Sequence, residues 1–178
     1  MKVIGLTGMP GSGKTEVRNV LEGMGWQVVR MGDFIFREVE ARGLELTPEN
    51  IGAVADEMRG THGPDIWAVR TVEHIRSTDA ERFLIDGVRS HDECDRFRAE
   101  LGDDFTVLAV LASPQARMER ILGRGREDDG DEQSFIDRDA REIRWGVGKV
   151  IADSDLSFRN EGTLEDIRRW AEEQDIFK

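Results

Sequence analysis

The chain has little cysteine and no long apolar run: Cys94 is its only cysteine, and no stretch approaches the roughly 20 residues that a membrane span requires. A lone cysteine allows neither a disulfide framework nor a cysteine metal cluster. Cys94 lies at helical spacing from Phe97 and Leu101, so we expect a buried, inert thiol. An apolar run starts directly at the N-terminus and leaves no room for a signal peptide. We therefore expect a cytoplasmic protein that does not contact membranes.

Basic residues are also in deficit. The 178 residues include 25 Lys and Arg against 37 Asp and Glu, which gives a net charge of −12. Because nucleic-acid binding depends on clustered Lys and Arg that neutralise phosphates, this charge argues against a nucleic-acid partner. Phosphorylated small molecules remain possible ligands, since a local group of arginines can attract a phosphate despite the negative net charge of the chain. The length fits one domain with a substantial core, and it leaves open a monomer or a homodimer.

A glycine-rich segment, GMPGSGKT, follows the first apolar run at residues 8–15. It matches G-x-x-x-x-G-K-[ST], a phosphate-binding loop whose backbone N–H groups surround nucleotide phosphates at a helix N-terminus. Apolar residues at helical spacing come next, which makes a chance glycine turn a poor alternative. Lys14 would reach the β- and γ-phosphates, and the Thr15 hydroxyl would bind magnesium, which prefers oxygen ligands. The residues expected to bind ATP here are Gly8, Met9, Pro10, Gly11, Ser12, Gly13, Lys14, Thr15 and Glu16.

Five short apolar runs predict strands, at residues 2–7, 27–30, 82–86, 105–111 and, weakly, near 156–159. Helical patterns separate them, as expected for βαβ units with a parallel sheet covered on both faces. Residues typical of helix starts mark four of these segments: Thr47 before Pro48, Ser90 three residues before Glu93, Ser113 before Pro114, and Thr163 three residues before Asp166. The pattern predicts an α/β fold with ligand sites just beyond the carboxyl ends of the strands.

Charged residues follow the second and third runs. Asp86 ends the third run in the form of a Walker B element, which holds magnesium through its water shell. Arg89 could contact a substrate phosphate, or it could be a surface arginine at a helix start. Asp33 lies where an acceptor hydroxyl would need a general base, and Arg37, one turn later, could hold an acceptor phosphate. An acceptor that is itself a phosphate needs no base, and the alternative for Asp33 is a helix N-cap.

Arginines recur at spacings of three and four residues after the fourth run. Arg117, Arg120 and Arg124 share one helix face, and Arg126 continues the series into an acidic stretch. Arginines on a movable cover could stabilise the charge of phosphoryl transfer and exclude water. We expect this role for Arg120, Arg124 and Arg126, whereas exposed ion pairs, such as Asp137 with Arg141, would explain about half of the arginines in this part of the chain.

The histidines and tryptophans give no sign of a site. The histidines show no metal-ligand spacing, so we assign no role to His62, His74 and His91. The tryptophans in helical patterns are typical of core or interface packing; they are Trp67, Trp145 and Trp170.

These features resemble the nucleoside monophosphate kinase group of P-loop kinases, and dephospho-coenzyme A kinase most of all, over nearly the whole chain. The likeness rests on the N-terminal loop and on Asp33 followed by Arg37. The series Arg120, Arg124 and Arg126 is similar to the lid arginines of that family, and residues 155–162, with Asn160 and Gly162, resemble its adenine-side loop. The turn at residues 86–89 looks instead like that of adenylate kinase. This hybrid pattern resembles an archaeal family related to both kinases, although residues 44–77, which should wall the acceptor site, match neither.

The resemblance implies a three-layer P-loop NTPase fold in which a five-stranded parallel sheet of order 2-3-1-4-5 has helices on both faces. It implies one kinase domain over residues 1–178, with acceptor-side helices at 44–77 and a small lid at 125–135. The implied reaction is ATP- and Mg²⁺-dependent transfer of the γ-phosphoryl group to a small acceptor of the dephospho-coenzyme A or nucleoside monophosphate type. The implied catalytic residues are Lys14, Asp33, Arg120, Arg124 and Arg126; the metal ligands are Thr15 and Asp86; the substrate is bound by Asp33, Arg37 and Arg89.

A rival interpretation comes from another class of protein. A nucleotide-dependent switch or assembly ATPase can share an adenylate-kinase-like fold, and it would respond to a macromolecule rather than to a small acceptor. A GTP switch is disfavoured because no Asn-Lys-x-Asp motif follows a later strand. A substrate panel distinguishes the remaining two functions.

Overall fold

The computed structural model describes residues 1–124 and 131–177. Its strands are β1 (Lys2–Thr7), β2 (Gln27–Arg30), β3 (Arg82–Asp86), β4 (Phe105–Leu111) and β5 (Leu156–Arg159). Its helices are α1 (Lys14–Gly23), α2 (Met31–Ala41), α3 (Pro48–His62), α4 (Ile66–Arg76), α5 (His91–Leu101), α6 (Pro114–Arg124), α7 (Glu132–Trp145), α8 (Val147–Ala152) and α9 (Leu164–Glu173). All five predicted strands are present at the predicted places.

The strands form one parallel sheet in the order β2-β3-β1-β4-β5, which confirms the predicted fold. Because the strands are parallel, their carboxyl ends lie at one edge of the sheet. Asp86 at the end of β3 is in register with Leu6 of β1 on one side and with Arg30 of β2 on the other. The phosphate-binding loop and the predicted metal carboxylate therefore start from neighbouring strands.

Helices cover both faces of the sheet because successive strand side chains point to opposite faces. On one face, Phe83 and Ile85 pack in a core with side chains from α2 to α5 and α8. On the other face, Leu84 and Leu108 pack with side chains from α1 and α9. Among the described helices, none is long and apolar enough to cross a membrane.

Helix caps were predicted well, with one exception. Thr47 caps α3, Ser90 and Thr163 form capping boxes at α5 and α9, and Ser113 accepts a hydrogen bond from Ala116 N at the start of α6. The cap alternative for Asp33 was wrong. Helix α2 begins at Met31, so Arg30 occupies the cap position and Asp33 is the third residue of the first turn.

The tryptophans were predicted in core or interface packing. Trp67 is buried and Trp170 packs on Phe158 at 4.5 Å between ring centroids, whereas Trp145 is 38% exposed and lies against arginines, so the core alternative is wrong for Trp145. The Asp137 and Arg141 pair offered as an example of an exposed ion pair has other contacts, since Asp137 accepts a hydrogen bond from Gln133 and Arg141 lies over the Trp145 ring.

Cys94 is buried as predicted. Burial raises the pKa of its thiol to about 12, which keeps it protonated and unreactive near neutral pH.

Candidate nucleotide and acceptor site

The phosphate-binding loop is tightly packed against later parts of the chain. Gly8 has φ +148°, and a Cβ there would lie 2.4 Å from Val110 O. Gly11 has φ +76°, and a Cβ there would lie 2.7 Å from Arg117 O. Since both collisions are with backbone atoms, these two positions require glycine for space as well as for conformation.

Arginine and asparagine side chains hold the carbonyl groups of the loop from outside. Arg117 Nη1 donates to Pro10 O at 3.0 Å, and Asn160 Nδ2 donates to Ser12 O at 2.9 Å. Arg120 Nη2 in turn donates to Asn160 O at 2.7 Å, which joins α6 to the loop after β5. Carbonyl groups that are bound on the outside leave the loop N–H groups for an anion, the arrangement that phosphate binding requires.

Lys14 lies inside the loop as the first residue of α1. Its Nζ donates to Gly8 O at 2.6 Å and to Met9 O at 3.2 Å. Burial and, secondly, the charge of Arg89 lower the pKa of the Lys14 ammonium to about 8, although Asp86 and Glu142 oppose the shift. The site therefore combines a desolvated ammonium with a guanidinium close enough to interact, and an anion is what this combination would bind best.

This pKa predicts a proton linkage. A triphosphate next to Lys14 favours the charged form and raises its pKa again, so ATP binding near pH 8.5 should take up as much as about one proton, and near pH 6.5 almost none. Calorimetry in buffers of different ionisation enthalpy would measure the uptake. A binding enthalpy that does not vary with the buffer near pH 8.5 would contradict the prediction.

The lowered pKa of Lys14 also affects the stability of the fold. Lys14 is protonated up to about pH 10.4 in the unfolded chain but only to about pH 8 in the fold, so its burial opposes folding below about pH 8. That cost declines as the pH rises from about 8 to about 10.

A cavity of about 380 Å³ lies beside the start of α1 on the β5 side. It brings together the two adenine-side residues expected from the sequence, Asn160 and Gly162, with Glu16 from the predicted ATP-binding segment. The remaining lining residues are Gly13, Arg120, Gly123, Thr163, Leu164 and Ile167. The apolar side chains Leu164 and Ile167 and the nearby amide of Asn160 suit a flat, polar-edged ring.

A second cavity of about 450 Å³ lies on the other side of Lys14, toward β2 and β3. Lys14, Asp33, Asp86 and Arg89 line it, which brings four predicted site residues to one place. We call this cavity the acceptor pocket. One part of its wall is apolar, formed by Met31, Ile35, Phe36, Pro48, Ile51 and Trp67.

Arg37 is not brought to the acceptor pocket. Its guanidinium lies over the Phe34 ring at 5.7 Å, and both residues line a separate groove with Arg70 between α2 and α4. Asp33 and Arg37 are four residues apart, yet they contribute to different cavities. Of the predicted lid arginines, Arg120 lies at the phosphate-binding loop, Arg124 is the last residue of α6, and Arg126 lies outside the described residues.

The acceptor pocket also contains charged residues to which we assigned no role from the sequence. Arg30 and Arg59 line it, together with Glu93, which is only 2% exposed. Burial raises the pKa of the Glu93 carboxyl, although its Oε2 accepts hydrogen bonds from Arg89 N and Ser90 N. The sequence did place Ser90 and Glu93 in a capping box, but that pattern does not say that the capping carboxylate lines a pocket.

Asp86 is a plausible magnesium ligand by position, and it already has a cationic neighbour. Its Oδ2 accepts a hydrogen bond from Arg18 Nη1 at 2.9 Å. In the part of the chain that is described, no three or more His, Cys, Asp or Glu side chains form a cluster that could hold a metal by themselves. The donors fit a magnesium ion that Thr15 and Asp86 would bind together with nucleotide phosphates and water, as this ion prefers.

Helix α7 contacts one arginine that supports the phosphate-binding loop and one that lines the acceptor pocket, which the sequence did not predict. Asp139 accepts two hydrogen bonds from the Arg117 guanidinium that supports Pro10. One turn later, Glu142 Oε1 lies 3.6 Å from Arg89 Nη1. Asp139 reaches the arginine at the phosphate-binding loop and Glu142 reaches the arginine of the acceptor pocket because of how α7 packs. No local sequence pattern could have predicted these two contacts.

A family model described as an AAA domain matches residues 7–137. With the parallel sheet and the phosphate-binding loop, this match defines a P-loop nucleotide-binding protein of the AAA-domain family. The chain belongs to that family and to the UPF0200 proteins. It is 40% identical to the UPF0200 protein of Methanosarcina barkeri over 93% of this chain and 89% of the relative. It is 42% identical to that of Methanothrix thermoacetophila over 94% and 93%.

Solved structures agree on the fold. TT1252 from Thermus thermophilus superposes with a TM-score of 0.66 at 18% identity, covering 96% of this chain and 94% of the other. A gluconokinase from Sinorhizobium meliloti superposes with a TM-score of 0.57 at 15% identity, covering 94% and 87%. At these identities the likeness concerns the fold alone. The methanogen sources of the relatives agree with the archaeal resemblance seen in the sequence.

Proposed function

We propose that this protein is an ATP- and Mg²⁺-dependent phosphotransferase that moves the γ-phosphoryl group to a small, nucleotide-like acceptor. One observation carries the proposal: two consecutive residues of the phosphate-binding loop line two different cavities. Gly13 lines the adenine-side cavity and Lys14 lines the acceptor pocket. A triphosphate bound along the loop would run from the first cavity toward the second, which is the layout that in-line transfer between two bound molecules needs.

The proposed roles follow from the contacts. Backbone N–H groups of the phosphate-binding loop and the Lys14 ammonium would bind the phosphates, and Thr15 with Asp86 would hold Mg²⁺, which neutralises charge on the transferring group. Arg120, already at the loop, would stabilise the transition state, and Arg124 and Arg126 are assigned the same role by the resemblance. Asn160 and Gly162 would bind the adenine side.

The acceptor is proposed to be anionic with a flat, apolar head. Arg30, Arg59 and Arg89 supply three guanidiniums, and the apolar wall with Trp67 would suit a base better than a polyol. Dephospho-coenzyme A and nucleoside monophosphates both have this chemistry. The gluconokinase neighbour is named for a different kind of acceptor, and its likeness extends only to the fold.

Asp33 distinguishes two kinds of acceptor. If the acceptor oxygen is an alcohol, Asp33 would be the general base, and Asp33→Asn should lower kcat strongly. If the acceptor oxygen belongs to a phosphate, it is already ionised and the same variant should change kcat little. Arg37 lies in the separate groove, so we propose that it contacts only an acceptor long enough to extend beyond the acceptor pocket.

A ligand and transfer panel tests the proposal. Dephospho-coenzyme A, AMP, CMP and GMP are added with and without Mg²⁺ and an ATP analogue, and the melting temperature is recorded, because a ligand that binds only the native state stabilises it. Each compound is then incubated with ATP and Mg²⁺, and the phosphorylated product is assayed. We expect one compound to raise the melting temperature and to accelerate ATP consumption in proportion to product.

ATP consumption that no small compound accelerates, but that a macromolecule in a cell extract does, would favour the switch or assembly ATPase instead. Absence of ATP binding in the presence of Mg²⁺ would overturn both functions.

A further inference from the structure

Trp145 is a large aromatic side chain that neither core contains. It is the last residue of α7 and is 38% exposed. Two guanidiniums lie against its ring, that of Arg89 at 5.5 Å from the centroid and that of Arg141 at 5.6 Å. The two arginines differ in one respect: Arg89 lines the acceptor pocket, whereas Arg141 is not among the described residues that line it.

A second group on α7 restrains the same guanidinium. Glu142 is 7% exposed, and its Oε1 lies 3.6 Å from Arg89 Nη1. Residues 142 and 145 are three apart and so share a helix face. The next residue, Gly146, packs against the backbone of the Arg89 turn, since a Cβ at this position would lie 3.8 Å from Arg89 O.

Arg89 needs such support because its own side chain is 47% exposed. A half-exposed arginine has many rotamers, and fixing it in one of them costs conformational entropy when an anion binds. The Trp145 ring and the Glu142 carboxylate, both close to the guanidinium, limit those rotamers before the anion arrives. The charge of Arg89 reaches Lys14, whose pKa it lowers, so both cations act on the same region.

We propose that Trp145 is a positioning residue that, with Glu142, holds the Arg89 guanidinium at the rim of the acceptor pocket, ready for the anionic group of the acceptor. This inference rests on the proposed function and deepens it. According to this inference, Arg89 binds the anionic group of the acceptor, and residues at the C-terminal end of α7 hold Arg89 in place before the acceptor binds. Trp145 itself does not touch the reacting atoms.

The test needs a ligand that reaches Arg89 without requiring the correct acceptor head. Adenosine 5′-pentaphosphate serves, because it extends the phosphate chain of ATP by two units toward the acceptor pocket. Calorimetry with Mg²⁺ measures its affinity and that of ATP for the wild type, Trp145→Ala, Trp145→Phe and Arg141→Met. The ratio of the two affinities reports the contacts made beyond the γ-phosphate.

We expect the wild type to bind the pentaphosphate more tightly than ATP. Trp145→Ala should reduce this advantage roughly three- to tenfold, the size of a partly exposed cation–π contact, without changing the affinity for ATP. Trp145→Phe keeps a ring and should retain most of the advantage. Arg141→Met, which alters the same ring's other contact, should leave the advantage unchanged. The pentaphosphate should also change tryptophan emission more than ATP does in the wild type, and this difference should be smaller in Trp145→Phe, in which Trp67 still lines the pocket.

Each other outcome has a definite meaning. Without ATP binding, the proposed function fails and this inference fails with it. If ATP binds but the pentaphosphate binds no more tightly than ATP, Arg89 does not contact the added phosphates. The inference is then overturned while the proposed function stands. An unchanged ratio in Trp145→Ala, or an equal loss in Arg141→Met, also overturns it. If Trp145→Ala does not fold, Trp145→Leu replaces it, with thermal melting as the check.

Discussion

Replacing Lys14 by alanine is expected to abolish phosphoryl transfer almost completely, with kcat falling by roughly a hundredfold to a thousandfold or more. Losses of this size are found when an enzyme loses one preorganised group that stabilises negative charge in the transition state. The fold should persist. Within the described residues, the hydrogen bonds of the Lys14 ammonium go to carbonyl groups of its own loop, at Gly8 and Met9, and its burial as a charged group opposes folding. The melting temperature of Lys14→Ala without nucleotide should therefore equal or exceed that of the wild type.

A matched control is available on the same chain. Lys149→Ala removes an exposed lysine of α8, so it changes the net charge equally but should leave kcat unaltered. The assay is product formation with the acceptor that the panel identifies, together with thermal melting of each variant. Turnover by Lys14→Ala at the wild-type rate would refute the assignment of the phosphate site.

The second large effect is expected from Asp139. The Arg117 side chain is 6% exposed, and Asp139 binds it through both carboxylate oxygens. Asp139→Ala would leave a buried guanidinium without its counter-charge, which costs about 3 kcal/mol of unfolding free energy. Because Arg117 also donates to Pro10 O, the loop should lose part of its support, and the affinity for ATP should fall. Urea denaturation measures the first effect and calorimetry the second.

Asp137→Ala is the control for Asp139→Ala. Asp137 lies on the same helix, is exposed, and accepts a hydrogen bond only from the side chain of Gln133 among the contacts described for it. Its replacement should change the unfolding free energy by less than about 0.5 kcal/mol. Equal urea midpoints for the Asp139 variant and the wild type would mean that the pair does not stabilise the fold, contrary to the prediction.

Where local chemistry dominates, the sequence predicted the structure well. Thr47, Ser90 and Thr163 each cap a helix because their hydroxyls satisfy backbone N–H groups within the next turn. The role of a residue was harder to predict where it depends on the exact start of a helix. Asp33 fits a cap by residue type, but α2 starts directly from β2 at Met31, so this aspartate lies within the first turn and lines the acceptor pocket.

The misplacement of Arg37 has a similar cause. A spacing of four residues puts Asp33 and Arg37 roughly on one side of α2, yet α4 packs against this helix and separates two cavities there. Trp67 lines both cavities and lies between them. Side chains one turn apart on a helix can therefore enter different cavities when a second helix packs between them.

By itself, the sequence determined the phosphate-binding loop and the five strands, because glycine spacing and runs of apolar residues are local signals. The order of the sheet was implied only by the resemblance to P-loop kinases. The tertiary structure alone decided the rest of the site. Glu142, Asp139 and Trp145 meet Arg89 and Arg117 because α7 packs beside α6 and α8. Contacts between residues far apart in the chain depend on how helices pack, and no spacing along a single segment records that packing.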